Sequence, residues 1–328
     1  MRKNIIRCIL PICMCILTVR VSHAQLGNSK EYVEPPGWSL GATCGLADLW
    51  GDVGTQGIID HYANSKYWGK PHFMGGIFVR YSAHPSLAFR LGVNYGSLYA
   101  DDAWNYDKAK KAEYIEDDAY QRYLRNLNVR TNIWETNLMV EFSPFRLNYE
   151  SRMANKRFQP YLLLGVAAFH FKPKARYFDP AGNDRGYVNL YDLHIEGDGL
   201  PSDVFPDAPK KYSLWQIAVP MGIGVKWDIG RRLALGVEYV YRYTFTDYLD
   251  NVSDKYIDPL WYSHPELKMT EQQMVMAAQL QDKSWLIDDT YSHQPGDQRG
   301  NPAVKDGYST FSVTLIFKIP SKKSPWWF

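Results

Sequence analysis

Residues 215–227 read WQIAVPMGIGVKW and alternate between two faces with a period of two. One face is apolar and has tryptophan at both ends; it consists of Trp215, Ile217, Val219, Met221, Ile223, Val225 and Trp227. The other face carries small or polar residues such as Gln216, Gly222 and Lys226. At roughly 3.3 Å per residue and a tilt of about 40°, such a strand spans about 30 Å, the thickness of a bilayer core. The stretch predicts a β-strand that crosses a membrane.

Seven further segments alternate in the same way. The eight predicted strands lie near residues 38–49, 73–82, 87–99, 132–142, 159–171, 213–227, 233–245 and 307–319. The connections between them are alternately long and short, which is the arrangement of barrels in outer membranes. We therefore predict an all-β fold, an eight-stranded antiparallel transmembrane β-barrel with long extracellular loops and short periplasmic turns.

A soluble β-sandwich also alternates with a period of two and is the main alternative fold. A sandwich gives no reason for aromatic residues to gather at strand ends, whereas a membrane barrel places them at the two interfaces. Tyr95 and Tyr99 end the third predicted strand, and Tyr241 and Tyr243 lie near the end of the seventh. These positions favour the barrel.

The first residues predict export. Arg2, Lys3 and Arg7 precede an apolar run, and small residues at Ser22 and Ala24 indicate cleavage after Ala24. We predict a signal peptide at residues 1–24, a barrel at residues 25–328 and location in the cell outer membrane. Cys44 is then the one cysteine of the exported part. It is either a thiol that pairs with another chain or a small apolar residue within a strand.

Composition narrows the function. The formal net charge is +2, which argues against nucleic acid as a partner, and the histidines occur singly, without metal-ligand spacing. We expect no metal, no cofactor and no catalytic residues. Ser263, His264 and Glu266 and the pair Ser292 and His293 lie in the last long loop and leave a lipid-modifying enzyme as a remote alternative. Residues 266–283 predict a helix over the barrel mouth or, as an alternative, a binding helix.

An eight-stranded barrel is filled by its own side chains rather than open as a pore. The predicted inward positions carry charges of both signs, and buried charges persist when they are paired. We expect a lumen charge network of Arg80, Arg90, Glu135, Glu141, Lys226, Glu238, Arg242 and Lys318. A gated conduit is the alternative use of these residues.

Several stretches resemble the PorG-like outer-membrane barrels of the Bacteroidota type IX secretion system. Weaker strand matches are residues 72–81 (HFMGGIFVRY), 85–96 (PSLAFRLGVNYG), 160–166 (PYLLLGV), 217–226 (IAVPMGIGVK) and 235–239 (LGVEY). More specific are residues 244–253 (TFTDYLDNVS) and 299–302 (RGNP), both in the last long loop and rich in turn-forming residues. Cys44 and the tail from Pro320 to Phe328 depart from the family pattern.

The resemblance implies a barrel that anchors a periplasmic ring, made of a PorK-like lipoprotein and a PorN-like ring protein, to the outer membrane and its lipid bilayer. Basic and aromatic residues on the predicted periplasmic side are common at protein interfaces. The candidate partner contacts are Phe145, Arg146, Tyr149, Arg152, Lys156, Arg157, Trp326, Trp327 and Phe328. The alternative is that these residues lie against lipid headgroups. An adhesin or ligand-binding barrel that acts through its extracellular loops is the alternative function.

Overall fold

The computed structural model of the protein describes residues 36–55, 72–148, 152–154, 156–203, 205 and 208–320. The predicted signal peptide lies outside the described residues. Nine strands form within these ranges: β1 Gly37–Trp50, β2 Phe73–His84, β3 Leu87–Asp101, β4 Asn128–Phe142, β5 Phe158–Phe178, β6 Asp184–Asn189, β7 Trp215–Asp228, β8 Leu233–Thr244 and β9 Gly307–Lys318. The α-helices of the described residues are α1 Tyr106–Ala109, α2 Asp118–Arg125 and α3 Glu271–Gln281.

Eight strands, all except β6, close into one antiparallel barrel in the ring order β1, β2, β3, β4, β5, β7, β8 and β9. The ring is completed by β9 with β1, from Ser39 opposite Lys318 to Trp50 opposite Gly307, and by β4 with β5. Because the barrel is closed, every strand has a hydrogen-bonded neighbour on both sides. The bilayer core contains no water that could bond the backbone N–H and C=O groups of an unpaired strand. The prediction of an eight-stranded transmembrane barrel is confirmed.

Strand ends differ from the predicted ones mainly on the extracellular side. β4 begins at Asn128 rather than residue 132, and β5 continues to Phe178 rather than residue 171. The extension of β5 pairs with β6, a strand the sequence did not predict, to form a hairpin above the membrane. Outside the bilayer neither face has to be apolar, so the alternation that reveals a membrane strand is lost there.

The two faces of the barrel match the alternation of the sequence. Ile217 and Ile223 on the outer face of β7 are 60% and 61% exposed, whereas Lys226 on the inner face is buried. Aromatic pairs mark both interfaces: Trp38 and Tyr81 lie 4.8 Å apart at the periplasmic end, and Tyr95 and Trp134 lie 4.5 Å apart at the extracellular end. The distances are between ring centroids.

Tyr99 does not belong to the aromatic girdle, so this prediction is wrong. It is buried, its ring lies 5.6 Å from that of Trp104, and its hydroxyl donates to Asp101. Trp104 belongs to a 3-10 turn at Asp102–Asn105 that directly follows β3. The turn folds back over Tyr99 because the long loops are packed together rather than extended.

The described parts of the long loops form a folded cap over the extracellular mouth of the barrel. Its apolar core includes Leu193, Ile195, Tyr262 and Leu280 and is continuous with Phe169 inside the barrel. The predicted helix at residues 266–283 is shorter, because α3 begins after Thr270, whose side chain accepts a hydrogen bond from the Gln273 backbone as an N-cap. No helix in the described part of the chain is long and apolar enough to cross a membrane.

Candidate functional site

In the periplasmic half of the lumen one carboxylate forms ion pairs with two cations. Glu141 lies 2.8 Å from Arg80 Nη2 and 2.9 Å from Lys226 Nζ, and all three side chains are buried. Three different strands contribute these residues. The cluster therefore connects three strands of the barrel wall through ion pairs. Removing the carboxylate would leave two buried cations without their counter-charge.

Two further ion pairs span the lumen from side to side. Arg90 Nη1 lies 2.6 Å from Glu238 Oε1, and Arg242 Nε lies 2.9 Å from Glu135 Oε2. Tyrosine hydroxyls complete both pairs: Tyr161 donates to Glu238 and Tyr308 donates to Glu135. Each carboxylate therefore has a cation and an additional hydrogen-bond donor, the condition under which a buried charge is tolerated.

Lys318 lies apart from the other predicted lumen charges, at the periplasmic floor of the barrel. Its Nζ is 2.5 Å from Asp228 Oδ1, and Asp228 Oδ2 is 2.9 Å from Arg146 Nη2. Sequence reasoning missed Asp228 and assigned Arg146 to another role. The sequence did contain a signal for Asp228. It follows Trp227 of the outer face of β7, so alternation places it on the inner face.

Side chains fill most of the lumen. A cavity of about 20 Å³ remains beside Arg90, Glu238 and Arg242, which is room for about one water molecule. The lining strands lie wholly within the described residues. This packing argues against the gated conduit.

A buried glutamine, Gln159, binds the last part of the longest periplasmic turn. The Gln159 amide nitrogen donates to the backbone carbonyls of Met153, Ala154 and Lys156 at 2.9, 3.2 and 2.8 Å. A 3-10 turn at Pro144–Arg146 begins the connection. Sequence reasoning missed Gln159 because nothing local distinguishes it from any other inward glutamine.

The structure brings only some of the candidate partner contacts to the periplasmic surface. Phe145, Arg152, Lys156 and Arg157 are exposed. Arg146 is completely buried in its ion pair with Asp228, so the prediction that it contacts a partner is wrong. Tyr149, Trp326, Trp327 and Phe328 lie outside the described residues.

Cys44 lies in the middle of β1, where it is exposed on the outer face of the barrel. Its neighbours across the two ladders are Gly75 and Val313. The side chain therefore faces the bilayer, where a small apolar residue is well tolerated. Pairing with another chain stays a prediction.

The TFTDYLDNVS and RGNP stretches are joined in the polar core of the cap. Arg299 lies 2.7 Å from Glu196 and also donates to the backbone carbonyl of Asn251, a residue with a left-handed φ of 60°. Ser253 donates to Asp247 at 2.6 Å. Arg299 of the RGNP stretch and Asn251 of the TFTDYLDNVS stretch therefore connect the two ends of the last loop within the cap.

A second buried ion pair connects further loops to this core. Arg125 at the end of α2 lies 2.8 Å from Asp102, and it donates to the backbone carbonyls of Asp52 and Arg299. The loops after β1, β3 and β8 thus meet at one guanidinium group. Arginine suits this role because its donors form a planar fork of fixed geometry.

The carboxyl groups of Asp250 and Asp306 lie close together where the first and last extracellular loops meet. Asp250 accepts hydrogen bonds from the backbone of Val53 and Val252, and Asp306 accepts one from Leu249. A Cβ added at Gly51 would lie within 2.7 Å of oxygen atoms of both carboxyl groups, so only glycine fits between them. Burial and the charge of Asp52 raise the pKa of Asp250 to about 7, and burial beside Asp250 and Asp247 raises the pKa of Asp306 as well.

These pKa shifts predict that the cap loosens as the pH rises. A carboxyl group with a pKa near 7 in the folded cap and about 3.9 when unfolded stabilises the cap most at acid pH. This stabilisation is lost between those values, and Arg125 offsets only part of the repulsion with Asp52. We expect hydrogen exchange of the Val53 and Val252 amides, corrected for intrinsic rate, to be faster at about pH 8 than at about pH 5.

The variant Asp250→Asn should flatten this pH dependence, because it removes the titrating carboxyl group. Its single amide oxygen can accept from only one of the Val53 and Val252 backbone N–H groups, so the exchange rates at the two pH values are compared within each protein. An unchanged pH profile in the variant would contradict the assignment. Asp192→Asn, at an exposed position in another extracellular loop, is the matched control.

The histidines of the last loop have structural contacts. His293 Nδ1 lies 3.0 Å from Asp282 Oδ1, and the ring stacks on Tyr256 at 4.3 Å. His264 caps the 3-10 turn at Pro265–Leu267 by accepting from the Glu266 backbone. Among the residues the structure describes, no group of three or more His, Cys, Asp or Glu side chains is arranged to hold a metal ion.

Comparison with known families identifies one short match. A family model for a domain of unknown function, DUF6089, matches residues 206–262. The matched range contains β7, β8 and the TFTDYLDNVS motif. No curated protein matches the chain.

Solved structures with a similar fold are outer-membrane or surface proteins of distant bacteria. A major outer membrane protein from Thermus thermophilus is 13% identical, with a TM-score of 0.37 over 87% of this chain and 100% of that one. Neisserial surface protein A is 10% identical, with a TM-score of 0.35 over 86% and 97%. OprG from Pseudomonas aeruginosa is 8% identical, with a TM-score of 0.34 over 89% and 99%. Similarity at this level does not transfer a function.

The closed antiparallel barrel, its apolar outer face and its two aromatic girdles make the protein an outer-membrane β-barrel.

Proposed function

We propose that this barrel is a non-enzymatic component of a type IX secretion machinery and anchors a periplasmic ring of PorK-like and PorN-like proteins to the outer membrane. The observation that carries the proposal is a lumen filled by ion pairs, combined with a periplasmic turn that presents exposed basic and apolar side chains. A barrel without a conduit acts through its surfaces. The resemblance of the TFTDYLDNVS and RGNP stretches to PorG-like barrels supplies the identity of the partners.

The periplasmic end offers several contact elements close together. β1 begins and β9 ends there, so Gly37 and Lys318 lie on the same side of the barrel as the turn after β4. In that turn Phe145 and Leu147 are 43% and 61% exposed. Exposed aromatic and aliphatic side chains beside arginine and lysine are typical of protein interfaces.

The test replaces exposed cations of the turn with glutamate and leaves the buried Arg146 unchanged. Arg152→Glu combined with Lys156→Glu should leave a heat-modifiable barrel in the outer membrane. Cross-linking and pull-down from native membranes should recover about tenfold less of the ring proteins, which corresponds to about 1.4 kcal/mol of binding free energy. Export by the type IX route should fall in parallel.

The matched control is Lys110→Glu combined with Lys111→Glu, which makes the same change of charge at exposed positions of an extracellular loop. The control should retain the ring. Recovery of the ring from the turn variant at the wild-type level, with export intact, would contradict contact through this turn. A wild-type barrel that recovers none of the ring proteins in the same pull-down would contradict the anchor proposal itself.

The cap favours a second candidate function, binding of an extracellular ligand. Its loops are packed around a shared core, and clefts of about 700 and 480 Å³ open on its surface. Ligand sites are commonly preformed clefts of about 300–1,000 Å³. If the cap binds a ligand, substitutions in the cap should affect that binding and leave the ring attached.

A further inference from the structure

A cleft of about 480 Å³ lies on the cap between α2 and the segment that follows α3. Three aromatic side chains, Tyr120, Tyr123 and Trp285, form part of its wall. Leu124 and Ile287 add apolar surface, and the wall is completed by the carboxylates of Asp288 and Asp289. No basic side chain belongs to this lining.

The two sides of the cleft are held in a fixed relation. α2 is followed by Asn126, whose left-handed backbone stops the helix and whose side chain donates to the Lys283 carbonyl at 3.4 Å. Arg125, one residue earlier, donates to the Arg299 carbonyl at 2.6 Å. A cleft that is formed before the ligand arrives loses little free energy in ordering its walls.

The two carboxylates are exposed to an approaching ligand. Asp288 Oδ1 accepts hydrogen bonds from the Thr290 backbone and hydroxyl at 2.9 and 2.6 Å, and these bonds lower the pKa of Asp288. Both aspartates are exposed, and neither forms an ion pair with a described residue. The cleft therefore combines two negative charges with aromatic side chains.

We infer that this cleft binds an organic cation, an alkylammonium or guanidinium group. Aromatic faces attract such cations through the negative potential of the ring, and carboxylates form strong hydrogen bonds with them. A metal ion would need more oxygen ligands and would gain little from aromatic walls. The inference develops the second candidate function and is independent of the ring anchor.

Saturation-transfer NMR on the full chain, in a non-ionic detergent, tests the inference with n-butylguanidinium and n-butylammonium as probes. Neutral n-butylurea is the matched uncharged ligand. We expect the cations to bind at least about tenfold more tightly than the urea, and binding to weaken as salt is added. A blocked Gly-Arg-Gly peptide tests whether an arginine side chain within a peptide binds as the free cation does. The same peptide with neutral citrulline in place of arginine is its control.

Asp288→Asn combined with Asp289→Asn should weaken binding of n-butylguanidinium about tenfold or more, and Trp285→Leu should weaken it about threefold to thirtyfold. The control is Asp192→Asn combined with Asp203→Asn, which removes the same charge from exposed positions of another extracellular loop. If the control weakens binding equally, the overall negative charge of the cap, rather than this cleft, attracts the cation, and the inference is contradicted.

Equal binding of the urea, or no binding of either cation, would also overturn the inference. Binding of neutral galactose in place of the cations would exclude an organic cation and leave an extracellular ligand site in place. Heat-modifiability of every variant checks that the barrel is folded.

Discussion

Replacing Glu135 with alanine is expected to destabilise the barrel by about 3–5 kcal/mol. Glu135 lies 2.9 Å from Arg242 and accepts hydrogen bonds from Tyr308, Asn94 and Asn137, all in the lumen. Removing the carboxylate leaves the Arg242 guanidinium buried without its counter-charge. Urea unfolding in detergent, followed by heat-modifiability on gels, measures the loss.

The double variant Glu135→Ala with Arg242→Ala should lose clearly less than the sum of the two single variants, because neither unpaired charge remains. Asp184→Ala is the control for an ion pair in water. Asp184 pairs with Arg176 at 2.5 Å, but both side chains are about 40% exposed or more, so solvent screens the pair and we expect a much smaller loss than for Glu135→Ala. Additive losses in the double variant would contradict a coupled lumen pair.

Replacing Val313 with arginine should destabilise the inserted barrel by about 2–4 kcal/mol. Val313 is 51% exposed on the outer face of β9, where it lies opposite Val237 and Cys44 at mid-strand. Arginine there would place a charge near the centre of the bilayer. The measurements are the amount of protein in the outer membrane and the urea midpoint in lipid vesicles.

Ile319→Arg provides the same substitution at another depth. Ile319 is exposed one residue past the periplasmic end of β9, where the cost should fall to about 0–1 kcal/mol. Thr314→Val tests the opposite face, because it keeps the volume of a buried inward side chain. Equal losses for Val313→Arg and Ile319→Arg would mean that the position of β9 relative to the bilayer is wrong.

The faces of the barrel strands were predictable because alternation is a local property. A residue at an odd or even position of a strand points inward or outward whatever its partner strand is. The inward direction of Arg90, Glu238 and Lys226 therefore followed from the sequence, and the structure shows all three buried. Which charges pair did not follow, since Arg90 and Glu238 are 148 residues apart and meet only when the ring closes.

The periplasmic turn shows the opposite case. Arg146 looks like its neighbours Arg152 and Arg157 in sequence, and all three were predicted to face a partner. A 3-10 turn and the buried Asp228 direct Arg146 into the barrel floor. Connections have no fixed period, so the direction of a loop side chain depends on contacts that sequence reasoning does not supply.

By itself the sequence determined the eight barrel strands, the face of each strand that meets lipid and the inward position of the eight predicted lumen charges on those strands. Hydrophobic alternation and aromatic ends are enough for this, because the bilayer imposes one apolar face on every strand that crosses it. Tertiary structure alone decided the ion-pair partners, the burial of Arg146, the β5–β6 hairpin and the folded cap in which Arg299 holds the last loop. These features depend on contacts between residues far apart in the chain, whose geometry is set only when the loops pack together over the closed barrel.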